Sequence, residues 1–209
     1  MRRTGAVLLA LAAALALAGG AQAAKVRNGG FERGDLRGWQ VRALPDAECG
    51  SWTVYGGDAV PGLPSPPRGD RAAAASPPAE CLSGAHILSR VVKLKKGSKH
   101  KLSFRLAYDN DYEFFLTPGS LEPEPAGSQQ IRVDVLRAGA PLLSVNPNHI
   151  LKRVYVTRHD APLRRGYRRV TANLSKLAGK RVRLRFAAVA NRGPLAVGLD
   201  AVRIASRKC

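Results

Sequence analysis

Apolar and charged residues alternate along much of the chain. In Lys101-Leu102-Ser103-Phe104-Arg105-Leu106 every even position is apolar; Arg181-Val182-Arg183-Leu184-Arg185-Phe186 and Ile131-Arg132-Val133-Asp134-Val135 repeat the pattern. A period of two sends successive side chains to opposite faces of a strand, one packed and one wet, whereas a helix would show a period near 3.6. Turn chemistry separates these runs: Lys96-Gly97-Ser98, Ala138-Gly139-Ala140-Pro141, Ala178-Gly179-Lys180 and Asn191-Arg192-Gly193-Pro194. Short strands punctuated in this way predict an all-β sandwich or barrel. Two stretches break the rhythm. Asp58 to Pro78, which includes Pro64-Ser65-Pro66-Pro67, and Thr117 to Ser128 are rich in Pro and Gly. They read as long surface loops, where binding residues concentrate.

The first residues follow a different logic. Arg2 and Arg3 precede an apolar stretch from Ala6 to Ala18, and small residues end at Ala21-Gln22-Ala23. That is the layout of a secretory signal, residues 1–23, and the apolar stretch is shorter than the roughly 20 residues a spanning helix needs. The expectation is therefore an exported protein, secreted or held in the cell envelope, with one domain from 24 to 209 and no membrane span after cleavage. That part is long enough for one sandwich with a sizeable core. The net charge of +19 becomes +17 when Arg2 and Arg3 are removed. From Ile150 to Cys209 sixteen Lys or Arg face only Asp160 and Asp200. Such a field attracts polyanions in a salt-dependent way, although solvated strand faces account for the same composition. No DNA- or RNA-binding motif accompanies the charge, so no specific nucleic acid is expected.

Three cysteines remain. In an exported chain Cys49 and Cys81 are the plausible pair, a disulfide of roughly 3 to 4 kcal/mol in the chain-entropy model. Cys209 is left over, either free or linking two molecules as a dimer.

The segment Asn28 to Trp39, NGGFERGDLRGW, resembles the first strand of galactose-binding-like jelly-roll domains, the fold of many carbohydrate-binding modules. SWTVYGG from Ser51, SPPRGDRAA from Ser65, SGAHIL from Ser83, QQIRVDVL from Gln129, LSKLAGKRVRLRFAAVAN from Leu174 and GLDAVRI from Gly198 agree in order, over nearly all of the exported part. The resemblance implies a jelly-roll β-sandwich of two antiparallel sheets. It also implies a structural calcium where the first strand meets an acid of the last. That places Glu32 and Asp200 as ligands, with carbonyls near Asn28 and Gly30 assisting. Read alone, Glu32 serves equally as a solvated acid and Asp200 as a hydrogen-bond acceptor. The opening motif makes sense without a ligand: its glycines permit a turn, and Phe31 and Trp39 belong in a core.

A sugar-binding module needs exposed aromatic rings. Trp52, Tyr55, Tyr108, Tyr112 and Phe114 are the candidates, with Phe115, since adjacent strand residues send one ring outward. Asp109, Asp111 and Glu113 alternate, either to hold a cation or sugar hydroxyls or to offset the surrounding basic charge. Lys93, Lys95, Lys101, Arg105, Arg181, Arg183 and Arg185 form a basic plate if their strands are neighbours. Arg33-Gly34-Asp35 and Arg68-Gly69-Asp70 match an adhesion tripeptide, which an Arg- and Gly-rich chain also produces by chance. His86, His100, His149 and His159 show no paired metal spacing, and neither a Gly-x-Ser-x-Gly elbow nor a Cys/His signature is present. The reading is a non-catalytic binding module whose partner is a polysaccharide or other extracellular polyanion, an anionic glycan included. Its alternative is a structural or adhesive extracellular protein.

Overall fold

The computed structural model describes residues 26–44, 50–57, 59–76, 83–115, 121 and 128–208. The segment 1–23 read as a signal, Cys49, Cys81, Cys209 and most of Thr117 to Ser128 lie outside these residues. Ten strands are described: β1 (Gln40–Leu44), β2 (Trp52–Tyr55), β3 (Ala72–Ala75), β4 (Gly84–Lys93), β5 (Ser98–Asn110), β6 (Gln130–Arg137), β7 (Ile150–Val156), β8 (Arg164–Asn173), β9 (Arg181–Ala190) and β10 (Leu195–Lys208). They form two five-stranded antiparallel sheets, ordered β1-β4-β9-β6-β7 and β2-β3-β10-β5-β8, in a jelly-roll sandwich.

The alternation predicts the interior correctly. Leu102, Phe104 and Leu106 of β5, Val182, Leu184 and Phe186 of β9, and Ile131, Val133 and Val135 of β6 are all buried in one cluster between the sheets. Phe31, Trp39, Phe186 and Phe104 stack in sequence through this core, with centroids 5.6, 6.0 and 5.2 Å apart. Trp39 is thus a core residue, and its indole Nε1 donates to the Asn28 carbonyl at 3.0 Å. Gly29 is required for close approach, because a β-carbon there would lie 2.0 Å from the Val202 carbonyl oxygen of β10. The positive φ angles of the opening segment include two non-glycine residues, Asn28 at 52° and Phe31 at 59°.

The reading of Asp58 to Pro78 as one surface loop is corrected. It contains β3, whose four alanines are buried on both faces between β2 and β10. Ala72-Ala73-Ala74-Ala75 has no alternation to read because one face meets the core while the other lies under the preceding loop with Tyr55 and Leu63. The basic plate is corrected too. Lys93 pairs with Arg181 and Arg183 lies opposite Val91 in one sheet, whereas Lys101 and Arg105 belong to the other.

Arg185 is fully buried and belongs to no basic face. Its Nη2 donates to Asp134 Oδ2 at 2.6 Å, Arg132 Nε donates to the same oxygen at 2.6 Å, and Arg185 Nη1 reaches the carbonyls of Leu142 and Ser144, each at 2.7 Å. The network holds the segment between β6 and β7 over the outer face of its sheet. Removing one partner from such a network strands the other charges without water. Asp134→Ala is therefore expected to lower unfolding free energy by about 3–5 kcal/mol in urea denaturation. The triple apolar variant R132M/D134L/R185M should recover most of that loss.

Candidate functional site

β5 ends at Asn110, and the chain then turns through Asp111, Tyr112 and Glu113 at one end of the sandwich. A buried glutamine fixes this end. Gln129 Nε2 donates to Asn110 Oδ1 at 2.6 Å and to the Gly193 carbonyl at 3.2 Å; its Oε1 accepts from the backbone amides of Asn191 and Arg192 at 2.9 and 3.2 Å. The Asn110 amide in turn donates to the Tyr112 carbonyl. The turn between β9 and β10 is thereby tied to the end of β5. Gly193 is needed there, since a β-carbon would come within 2.2 Å of Tyr112 Cε2. The Tyr112 ring rests on this glycine and is 48% exposed. Beside it Arg192 lies 4.7 Å from the Phe115 ring, a cation–π contact that leaves Phe115 only half-buried.

Of the predicted aromatic candidates, only Tyr112 offers an open ring. Trp52, Tyr108 and Phe114 are consumed by the main core, and Tyr55 lies beneath the loop before β3, its hydroxyl 2.7 Å from that of Tyr167. A buried ring has no face left for a pyranose, so those four are corrected to structural roles. Two of the acids beside Tyr112 have basic neighbours: Asp109 Oδ1 lies 2.7 Å from Arg164 Nε, and Glu113 Oε2 lies 3.7 Å from the His159 imidazole Nε2. Sequence reasoning marked Asn191-Arg192-Gly193-Pro194 as a turn but missed that Gln129 holds it against Tyr112, a relation visible only once β6 and β9 are paired.

Glu32 and Asp200 do converge. A β-carbon on Gly30 would lie 3.9 Å from Glu32 Oε1 and 3.9 Å from Asp200 Oδ1. Asp200 is fully buried. Its Oδ1 accepts from the Ala201 amide, while Oδ2 has no hydrogen-bond partner among the described residues. Glu32 Oε2 accepts from the Asp70 amide at 3.1 Å. An orphaned buried carboxylate oxygen beside a second acid fits a hard cation, although such an ion takes six to eight oxygens and backbone carbonyls or water must supply the rest. Among the described residues no three His, Cys, Asp or Glu side chains gather in one place.

The two sheets form a jelly-roll β-sandwich, the architecture that the resemblance of the opening motif implies. No protein-family model and no curated protein matches the chain. Among solved structures it is similar to the carbohydrate-binding module TmCBM61 in complex with β-1,4-galactotriose, at 14% identity and a TM-score of 0.53, over 88% of this chain and 97% of that one. A Stig cyclase from Fischerella sp. TAU in complex with an indole compound superposes with a TM-score of 0.53 at 14% identity, over 90% and 98% of the two chains. The K1 cleaved adhesin domain of Lys-gingipain from Porphyromonas gingivalis W83 does so with a TM-score of 0.52 at 13% identity, over 86% and 96%. These likenesses establish architecture, and the architecture hosts binding and catalysis alike.

The acid pair yields a pH dependence. Burial above all pushes the Asp200 carboxyl up from 3.8 to about 6; the Ala201 amide opposes this, Glu32 adds to it, and Arg105 and Arg68 oppose it. The folded state therefore holds this proton more tightly than the unfolded chain. Its stabilising contribution is complete below pH about 4 and is lost as pH rises towards about 6. With chelator present, the melting temperature of Asp200→Asn should fall less than that of the wild type between pH 4 and pH 7.

Proposed function

We propose that this protein is an exported, non-catalytic module that binds a glycan. The observation that carries the reading is Tyr112: a half-exposed ring, backed by Gly193, flanked by polar groups and fixed by Gln129 at one end of a jelly roll. The apolar face of a pyranose stacks on such a ring while its hydroxyls reach neighbouring polar groups. The architectural likeness to a module solved with a galactotriose supports the same reading. Calcium is the proposed structural ion, held by Asp200 and Glu32, where it would neutralise a buried carboxylate and tie the first segment to β10. Export and a Cys49–Cys81 disulfide are part of the proposal and rest on the signal layout and the cysteine positions.

The second reading, an adhesive surface protein, draws on the likeness to the gingipain adhesin domain and on a Cys209-linked dimer.

The test is capture of the purified exported part by neutral and acidic polysaccharides at low and high salt. Salt-resistant capture of a neutral glycan that falls at least about tenfold in Tyr112→Ala, with an unchanged melting temperature, is the expected result. Retention of polyanions alone that high salt abolishes, or of nothing, would favour the adhesive reading. For the metal, added Ca²⁺ should raise the melting temperature of the wild type by mass action and leave that of D200N unmoved.

A further inference from the structure

The outer face of β8, β5 and β10 carries a second chemistry, unrelated to the Tyr112 end. Pairing places side chains in rows across the three strands. Asp200, Arg105 and Arg169 stand side by side, followed by Arg203, Ser103 and Thr171, and then by Ala205, Lys101 and Asn173. Arg105 and Arg169 are direct cross-strand neighbours, an arrangement in which like charges repel.

Arg203 joins them only because of a bulge. Between Asp200 and Arg203 the register of β10 against β5 shifts by one residue, at Ala201, whose φ is 52°. Before the bulge, alternation sends Ala196, Gly198 and Asp200 outward; after it, Arg203 and Ala205 face out, while Val202 and Ile204 enter the core. A regular strand would have turned Arg203 inward, so the bulge aims it beside Arg105. A non-glycine residue in the left-handed region costs free energy, which marks the bulge as a feature retained against strain.

Arg68, from the loop before β3, completes the group. Arg68, Arg105, Arg169 and Arg203 line one cleft of about 60 Å³ with Ser103 and Ala201. None of the four makes an ion pair among the described residues, where Asp134, Asp109, Asp35 and Asp160 take other arginines. Arg68 and Arg105 do act on Asp200, but one buried acid and Glu32 leave the group with excess positive charge. The cleft is far too small for a sugar ring and suits a compact ion. Two residues further along the strands, a cavity of about 520 Å³ is lined by Lys99, Lys101, Thr171, Asn173, Ser175 and Arg207, among others. That volume falls in the range of small-molecule sites, and its lining of hydroxyls, an amide and cations suits a polar ring.

We propose that the arginine cleft binds a tetrahedral oxyanion, a sulfo or phosphoryl ester. Guanidinium groups lining one small cleft offer forked N–H donors to the oxygens of such an anion, and the anion removes the repulsion between Arg105 and Arg169. That the ester is carried on a saccharide lying along the larger cavity rests on the glycan reading above.

The experiment titrates the exported part, at 150 mM NaCl, with inorganic sulfate, inorganic phosphate, a sulfated galactan and the same galactan desulfated. Saturable sulfate or phosphate binding with a raised melting temperature is expected, and sulfated galactan should bind at least about tenfold more tightly than the desulfated form. R169Q and R203Q, at exposed strand positions where loss of charge relieves repulsion, should fold normally and each weaken oxyanion binding about tenfold, as befits a lost charge-assisted hydrogen bond. R181Q and R183Q, on the opposite sheet, should bind as the wild type does. Equal oxyanion binding by wild type, R169Q and R203Q, or none by the wild type, overturns the cleft, and does so without touching the glycan reading if desulfated galactan is still captured through Tyr112. Sulfate binding lost in R203Q, with neither galactan captured, supports the cleft and overturns the glycan reading instead.

Discussion

The bulge at Ala201 is the constraint on which much of the surface depends. β10 pairs with β5 on both sides of it, so one extra residue decides which side chains of the last strand meet the core and which meet solvent. The same irregularity frees the Val202 amide to donate to the Gly29 carbonyl at 2.7 Å, which anchors the opening segment. Phe31 and Trp39 are carried on that segment into the core. A single local distortion thus couples the docking of the first residues, the burial of Asp200 and the direction of Arg203.

Buried charge is handled in two ways. Asp134 is fully desolvated yet matched by two guanidinium groups, whose remaining donors are partly met by the carbonyls of Leu142 and Ser144. Burial pulls the Arg185 pKa down while Asp134 opposes the change, so a neighbouring charge takes the place of water around the guanidinium. Asp200 is buried without such a partner, and Glu32 adds a like charge nearby. The first arrangement fixes a loop. The second leaves an acceptor open, a condition seen where a group has work beyond packing.

The strands that bury one face were legible in the sequence because alternation records burial directly. β5, β6 and β9 show it plainly. β3 was hidden because four alanines covered on both faces carry no period, and β8 because Arg164-Arg165-Gly166-Tyr167-Arg168-Arg169 offers few apolar positions to read. Among candidate site residues, the nearness of Glu32 to Asp200 came from family resemblance, and Tyr112 is the candidate ring that packing leaves exposed. Trp52, Tyr55, Tyr108 and Phe114 show why the aromatic argument overreaches: composition shows that rings exist, but only packing decides which stay exposed. The arginine group was unreadable for a different reason. Arg68, Arg105, Arg169 and Arg203 are distant in sequence, and their meeting depends on strand order, register and one bulge.

The two proposed surfaces differ in the physics of capture. Stacking on Tyr112 removes apolar area from water and is almost indifferent to ionic strength, whereas contact with the arginine face exchanges counterions and weakens as salt screens it. A basic chain attracts any polyanion from a distance, so retention at low salt reports the net charge and nothing about either site. What separates a built site from that general field is persistence at an ionic strength where the Debye length is about 8 Å, together with sensitivity to one arginine among many. Removing Arg203 alters the net charge as little as removing Arg181 does. Any difference between them therefore measures geometry, the alignment that the bulge in β10 imposes on one face of the sheet and that the opposite face does not share.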